Sequence, residues 1–173
     1  ALGLFAFNAQ GELTQVRATG DANRFSSFYR DKLVEGINSA RTIEIAIDDK
    51  IPAPSWGPGG TIVPGSGFET EDIDADFGGG VSYGGDGTDQ YVVISGNDLN
   101  GLLDTNGNPL EDKPADILAH ELVGHAVPKA EGNVTGDAVV EENKVRAQVK
   151  KQGQTGPSPQ RADSHPVCSS CTP

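Results

Sequence analysis

The sequence predicts one small α+β domain, and three observations support that fold class. The chain has 173 residues, a length that suits a single domain. Segments with the three- and four-residue apolar spacing of helices are interspersed with short runs rich in β-branched residues. Glycine (23 residues) and proline (11 residues) are plentiful while aromatic residues make up only 6%, so we expect a modest core and long Gly/Pro-rich loops.

The N-terminal part of the chain is predicted to contain a hairpin, a helix and a strand. Two short strands, at 2–7 and 12–17, flank a turn of Asn and Gly. From Ala22 onward apolar residues recur at helical spacing as far as Ile37, which predicts an amphipathic helix. The run 42–47 is rich in isoleucine and is therefore predicted to be a strand.

The middle of the chain is acidic and rich in glycine and proline. Residues 52–87 are expected to form a long excursion with little regular structure. No Lys or Arg occurs between Lys50 and Lys113, and the net charge of the whole chain is -12. This balance argues against a nucleic-acid backbone as a partner. It suits a basic substrate or bound cations, or simply a solvated surface.

The C-terminal half is predicted to contain five elements in this order: a strand at 91–95, a turn at 104–109, a helix from Pro114, a helix from about 137 to 151, and an irregular tail from about 153. Pro114 suits the first helical turn because its missing N–H would have no partner there. Gly124 and Pro128 are expected to limit the length of the first helix. The two helices therefore follow each other closely in sequence.

The residues that suggest chemistry are concentrated on the first of these helices. The chain has three histidines, and two of them, His120 and His125, bracket Glu121 in the run His-Glu-Leu-Val-Gly-His. Two imidazoles on one helix face can hold Zn²⁺, and a glutamate beside them can take a proton from water that the metal activates. The motif predicts His120 and His125 as zinc ligands and Glu121 as the general base.

The spacing of this motif departs from the usual arrangement by one residue. His120 and His125 are five residues apart. In a regular helix with about 100° per residue, such a pair diverges by about 140° and cannot face one ion. A one-residue π-bulge would bring both rings to one side, and Gly124 would ease that distortion. Alternatively the helix ends at Val123 and His125 comes from a turn.

A third protein ligand is expected, because a catalytic zinc site usually has three such ligands and one open position. The candidates are Glu142, Glu141 and His165. Glu142 falls on the apolar stripe of the second helix, where a carboxylate is costly unless it is paired or bound to metal. The alternative is that Glu142 simply pairs with Arg146, one turn further along.

His165 has a second predicted role, as a catalytic residue that stabilises the oxyanion of the transition state. Four other side chains are also available for that role, and the sequence does not rank them: Tyr83, Tyr91, Arg146 and Arg161. The cysteines, Cys168 and Cys171, lie in the Pro-rich tail. They predict a local disulfide in an oxidising compartment, two free thiols, or half of a zinc site that has no second pair.

The run 120–126, followed by the helix at 137–146, resembles bacterial effector zinc metallopeptidases. That family includes NleD-like type III effectors and the C-terminal toxin domains of Rhs proteins and of VgrG-type type VI secretion spike proteins. The resemblance covers about residues 90 to 165, and its Glu-Glu-Asn-x-x-Arg run adds specificity to the histidine motif. It implies a zincin-like fold, with a small mixed sheet packed on the metal-binding helix.

By this resemblance the chain would be a zinc endopeptidase with His120, His125 and Glu142 at the ligand positions and Glu121 as the base. It would be the C-terminal part of a longer protein, a secreted effector that acts in the periplasm or cytoplasm of a target cell. A protein or peptide substrate and an immunity protein are then the expected partners, and the isolated domain is expected to be a monomer. In zincins the substrate lies along an edge strand, for which 91–95 is the candidate.

Two alternatives remain open at this stage. Zinc chemistry would equally serve an amidase that acts on cell-wall peptides. A degenerate, metal-stabilised binding module would keep the ligands but has no need of Glu121. No stretch approaches the roughly 18 apolar residues of a membrane helix, so no membrane partner is expected.

Overall fold

The computed structural model describes residues 5–15, 26–52, 55–56, 62–63, 70–133, 137–149 and 158–162. Within these residues the chain has an α+β fold with several small sheets and a few helices, as the sequence predicts. None of the described helices is long and apolar enough to cross a membrane. His165, Cys168 and Cys171 lie outside the described residues, so their predicted roles stay predictions.

The N-terminal elements confirm the predicted hairpin and helix. Strand β1 (Phe5–Phe7) pairs antiparallel with β2 (Leu13–Gln15). Helix α1 (Ser27–Asn38) begins after Ser26, whose side chain accepts a hydrogen bond from the backbone N–H of Tyr29. This cap satisfies a backbone donor that would otherwise lack a partner in the first turn. The predicted start at Ala22 lies outside the described residues.

A three-stranded mixed sheet positions the site. It has the order β3 (Ile43–Ile47), β9 (Gln90–Ile94) and β8 (Gly80–Tyr83), with β3 parallel and β8 antiparallel to β9. β9 is the central strand and is hydrogen-bonded on both sides. The expectation that residues 91–95 form an edge strand is therefore wrong, since a substrate strand cannot pair with an edge that is already occupied.

The acidic excursion is more regular than its composition predicts. Besides β8 it contributes four short strands and a helix, which are β4 (Lys50–Pro52), β5 (Ser55–Trp56), β6 (Ile62–Val63), β7 (Thr70–Asp72) and α2 (Ile73–Phe77). β4 pairs with β7, and β5 pairs with β6. The prediction of little regular structure over 52–87 is wrong for 70–83, because long-range pairing and burial organise a segment whose glycines hide any strand pattern.

After β9 the chain forms a hairpin, β10 (Leu99–Leu103) and β11 (Pro109–Asp112), around the predicted turn. Helix α3 (Pro114–Ala119) then continues through a π-helical segment, His120–Ala126, into α4 (Val127–Ala130). We call these three consecutive segments the site helix. Helix α5 (Ala138–Gln148) follows.

The site helix is longer than expected, since neither Gly124 nor Pro128 ends it. The backbone N–H of Val127 reaches back five residues to the carbonyl of Leu122. In a regular α-helix a proline ring clashes with the carbonyl four residues earlier, and a wider π turn relieves that clash. The helix ends before Gly132, whose φ of 70° lies in the left-handed region.

The main core lies between the sheet and the site helix. Its buried members are Val92, Ile94, Ile117, Leu122, Ala126 and Val127. The π-helical segment packs against β8 and β9 on one side and against α5 on the other. The small mixed sheet therefore packs on the helix that carries the histidine motif.

Candidate metal centre

The π-helical segment brings the two histidines of the motif together. The ring centroids of His120 and His125 are 5.2 Å apart, and the ring planes are inclined by 72°. The segment spans both histidines, so the wider turn falls where the five-residue spacing requires it. The predicted π-bulge is confirmed, and the alternative of a helix that ends at Val123 is wrong.

Gly124 has a packing role that the sequence did not predict. A Cβ added to this glycine would lie 2.5 Å from the Cβ and 2.7 Å from the Cα of Ala138, at the start of α5. Such distances are far below ordinary van der Waals contact. The absence of a side chain therefore lets α5 approach the π-helical segment closely.

Glu121 is buried against the sheet. A Cβ added to Gly80, the first residue of β8, would lie 2.8 Å from Cγ of Glu121 and 2.8 Å from Cγ2 of Ile117. The loss of hydration on burial is the largest influence on this carboxyl and raises its pKa, while the neighbouring His120 and, to a smaller extent, Lys129 and Arg161 partly oppose the change. A carboxylate whose pKa is raised is a stronger proton acceptor than an ordinary surface carboxylate.

Glu142 lies on the other side of the motif and contacts His120 directly. Nδ1 of His120 is 2.9 Å from Oε2 of Glu142, and only 1% of the Glu142 surface is exposed. Nε of Arg146 donates to Oε1 of Glu142 at 2.5 Å. The pairing with Arg146, which the sequence left open as an alternative, is therefore present together with the contact to His120.

The charges around Glu142 determine its ionisation. Burial is the largest influence and by itself would raise the pKa of this carboxyl. The hydrogen bond with His120 and the positive charge of Arg146 together outweigh burial, so the pKa of Glu142 is lowered. Nη1 of Arg161 adds a further contact, 3.4 Å from Oε2 of Glu142. Glu142 is therefore held as a carboxylate.

Asp112 is the member of the site that the sequence reasoning missed. It lies at the end of β11, is 1% exposed, and accepts a hydrogen bond from Nη2 of Arg146. The burial pattern of β11 alternates, with Leu110 and Asp112 on the inward positions. A carboxylate at an inward strand position could have indicated a buried ion pair, although its partner is 34 residues away.

The remaining candidates do not join this group. Glu141 pairs with Lys144 at 2.7 Å. Tyr83 belongs to a second core cluster with Ile51 and Ile73 and alternates with the positions of β8 that face the site helix. Tyr91 is 44% exposed. The oxyanion role considered for these two tyrosines therefore gains no support from their positions.

The spacing of the two histidine rings can be compared with the geometry of two imidazoles bound to one zinc ion. With Zn–N bonds of about 2.0–2.1 Å, a tetrahedral angle and a ring radius of about 1.1 Å, two imidazoles on one ion have centroids about 5 Å apart. His120 and His125 meet that spacing, and a carboxylate lies in contact with His120. Among the described residues, however, no group of three His, Cys, Asp or Glu side chains is placed to hold a metal ion.

No protein-family model matches the chain, and neither a curated protein nor a solved structure does.

Proposed function

We propose that the chain is a zinc-dependent endopeptidase of the zincin type, a toxin or effector domain that hydrolyses peptide bonds. His120 and His125 would hold the ion together with Glu142, and Glu121 would act as the base. The observation that carries the proposal is the π-helical turn, which brings two imidazoles five residues apart to a ring separation of 5.2 Å. Although Pro128 also favours a wider turn at this place, π-bulges occur frequently at functional sites.

Glu121 supplies the proton chemistry in this proposal. Zinc, when bound, polarises the peptide carbonyl and lowers the pKa of water, which makes a nucleophile available near neutral pH. A carboxylate oxygen of Glu121 takes the proton from water and then delivers it to the departing amine nitrogen. Its buried position against Gly80 supports this role, because burial raises the pKa of the carboxyl.

Glu142 supplies a fixed negative charge. Its two oxygens have different partners, since Oε1 accepts from Arg146 and Oε2 lies beside Nδ1 of His120. A carboxylate held in this way keeps its orientation and its charge, and zinc would have to replace the proton between Oε2 of Glu142 and Nδ1 of His120 for Glu142 to serve as the third ligand. The side chain of Glu142 is therefore the best-supported of the three candidates, since Glu141 pairs with Lys144.

The position of the substrate follows from the sheet. β8 is the strand that packs on the π-helical segment beside Glu121, and among the described residues it pairs within its sheet with β9 alone. All four residues of β8 are buried, so a peptide could pair with this strand only if the residues that cover it moved aside. The absence of Lys and Arg between Lys50 and Lys113 favours basic side chains on that peptide. The effector role, an immunity protein and action in a target cell depend on the sequence resemblance.

Metal analysis of the purified protein with two variants tests the proposal. We expect about one zinc per chain in the wild type and none in His120→Ala. Glu121→Gln should keep its zinc but cleave a mixed peptide pool about 10²–10⁴-fold more slowly, as measured by mass spectrometry. Glu141→Gln is the matched control and should match the wild type in both assays.

Four results would contradict the proposal. A wild type that carries no zinc excludes a zinc metallopeptidase. Full activity in Glu121→Gln excludes Glu121 as the general base. Zinc binding without cleavage of any peptide points to the degenerate binding module. Cleavage confined to cell-wall peptides in the same assay would replace the endopeptidase with the amidase.

A further inference from the structure

Four buried charged side chains form a neutral cluster behind His120. We call them the charge cluster, which consists of Asp112, Glu142, Arg146 and Arg161. Their side chains are exposed by 1%, 1%, 2% and 7%, respectively. The formal charges of two carboxylates and two guanidinium groups balance, and burial raises the pKa of the Asp112 carboxyl in spite of the neighbouring Arg146.

Arg146 is the bridge of the charge cluster. Its Nε donates to Oε1 of Glu142 at 2.5 Å, and its Nη2 donates to Oδ1 of Asp112. Nη1 of Arg161 lies 3.4 Å from Oε2 of Glu142 and 3.9 Å from Oδ2 of Asp112. The planar fork of arginine can hold two acceptors in fixed directions, which a lysine cannot do.

Arg161 is held in place by its backbone. Nδ2 of Asn143 donates to the carbonyl of Arg161 at 2.8 Å, and the N–H of Arg161 donates to Oδ1 of Asn143 at 2.7 Å. The next residue, Ala162, donates its N–H to the carbonyl of Leu103 at 2.9 Å. The charge cluster therefore joins β11, α5 and the segment 158–162 at one point.

Stability alone does not account for such a cluster. Taking charges out of water costs several kcal/mol per ion, and well-packed hydrophobic residues of similar volume are often as stabilising or more so. What a hydrophobic replacement would lose is the fixed direction of the Glu142 carboxylate. That carboxylate contacts Nδ1 of His120 at 2.9 Å, so its direction bears on the orientation of the imidazole.

We propose that Asp112, Arg146 and Arg161 are positioning residues that fix the Glu142 carboxylate against Nδ1 of His120, and that they thereby orient this imidazole for metal binding. The metal-binding part rests on the proposed function. The orientation of His120 in the metal-free protein does not, because it follows from the contacts among the chain's own residues. Nδ1 of His120 should carry the proton that Glu142 accepts.

The test replaces one ion pair of the cluster with apolar side chains of similar volume, in the double variant Asp112→Leu/Arg146→Met. Glu142 and Arg161 remain, so the net charge of the cluster stays at zero. The control variant Glu141→Gln/Lys144→Gln removes an ion pair that is on the same helix but outside the cluster. The readouts are the melting temperature, the tautomer of His120 from ¹⁵N NMR of the metal-free protein, and the zinc affinity.

We expect the double variant to stay folded, to lose the preference of His120 for a protonated Nδ1, and to bind zinc about 10–100-fold more weakly. The control should match the wild type in all three readouts. The proposal is overturned if the folded double variant keeps both the wild-type tautomer and a zinc affinity within about twofold of the wild type.

A second variant covers the case in which the double variant does not fold. Arg146→Lys keeps the positive charge but lacks the fork, so the tautomer preference should again be lost. An unchanged tautomer there contradicts the proposal. A wild type that binds no zinc contradicts the proposed function instead, and the tautomer of His120 still decides whether the charge cluster positions it.

Discussion

The two glutamates of the site are both buried but have opposite electrostatic surroundings. Glu121 packs against the sheet at Gly80, and burial raises its pKa. Glu142 is paired with Arg146 and contacts His120, and these partners lower its pKa in spite of burial. When the pKa values of neighbouring carboxyls are shifted in opposite directions in this way, one carboxyl can exchange protons while the other stays charged.

The difference separates two roles on two sides of the site helix. On the sheet side, the surroundings of Glu121 suit a group that changes its charge during a reaction. On the α5 side, the charge cluster suits a carboxylate that keeps its charge throughout a reaction. Each side also has a glycine that permits the close packing, with Gly80 beside Glu121 and Gly124 beside Ala138. The same substitution should therefore have different effects on the two sides.

The largest expected contrast is between Glu142→Gln and Glu121→Gln. Removing the charge of Glu142 leaves Arg146 and Arg161 with one carboxylate between them, and breaking a buried pair typically costs about 3–5 kcal/mol. Glu121→Gln removes a carboxyl that burial already disfavours as an anion, so its stability should equal or exceed that of the wild type. Urea unfolding of the metal-free proteins measures both.

Zinc titration sharpens the same contrast. If Glu142 is a ligand, Glu142→Gln should bind zinc at least about 10-fold more weakly than the wild type, even under conditions where it is folded. Undiminished affinity in a folded Glu142→Gln would move the third ligand to His165, since Glu141 pairs with Lys144. A stability loss in Glu121→Gln as large as in Glu142→Gln would end the distinction between the two sides.

A smaller effect is expected from Gly124→Ala, which disturbs the α5 side. In an ordinary helix this change stabilises by about 1 kcal/mol, because alanine has the better helix propensity. Here the new Cβ would lie 2.7 Å from the Cα of Ala138, and backbone cannot move aside as easily as a flexible side chain. Overpacking should prevail, with a net loss of about 1–3 kcal/mol in thermal or urea unfolding.

The control for this prediction is Gly96→Ala. A Cβ at Gly96 would meet only Cγ2 of Ile47 at 3.7 Å, which is an ordinary contact. Its stability should stay within about 0.5 kcal/mol of the wild type. If Gly124→Ala is as stable as the control, the close approach of α5 to the π-helical segment is not a feature of the folded protein.

Gly80→Ala disturbs the sheet side and should have a smaller effect on stability. Its Cβ would meet the side chains of Glu121 and Ile117 at 2.8 Å, and these can shift by changing rotamer, so we expect a loss of about 1 kcal/mol. Moving Glu121 should lower peptide cleavage about 10-fold or more while zinc affinity stays unchanged. Unchanged cleavage in Gly80→Ala would argue that Glu121 does not act from this position.

The sequence predicted the centre of the site better than its surroundings, for physical reasons. The π turn could be inferred because two histidines five residues apart can share an ion only if the helix widens. The pairing of Asp112 with Arg146 could not, because it joins residues 34 positions apart and no local pattern specifies the partner. β8 was missed because its place in the sheet depends on packing with β9, and Gly80 weakens any strand signal.

The smallest expected effect is a difference in pH dependence between the two glutamates. A lowered pKa, as at Glu142, adds stability that is present above the unfolded pKa of about 4.3 and is lost as the pH falls through the folded value. A raised pKa, as at Glu121, has the opposite sign, since the penalty is absent in acid and develops as the pH rises above about 4.3. The free energy of unfolding of Glu121→Gln should therefore increase relative to that of the wild type as the pH rises from 4 to 8. Unfolding of the two metal-free proteins over this range measures the difference. If the two curves stay parallel, burial does not shift the pKa of Glu121, and the electrostatic contrast between the two sides of the site helix reduces to the charge cluster alone.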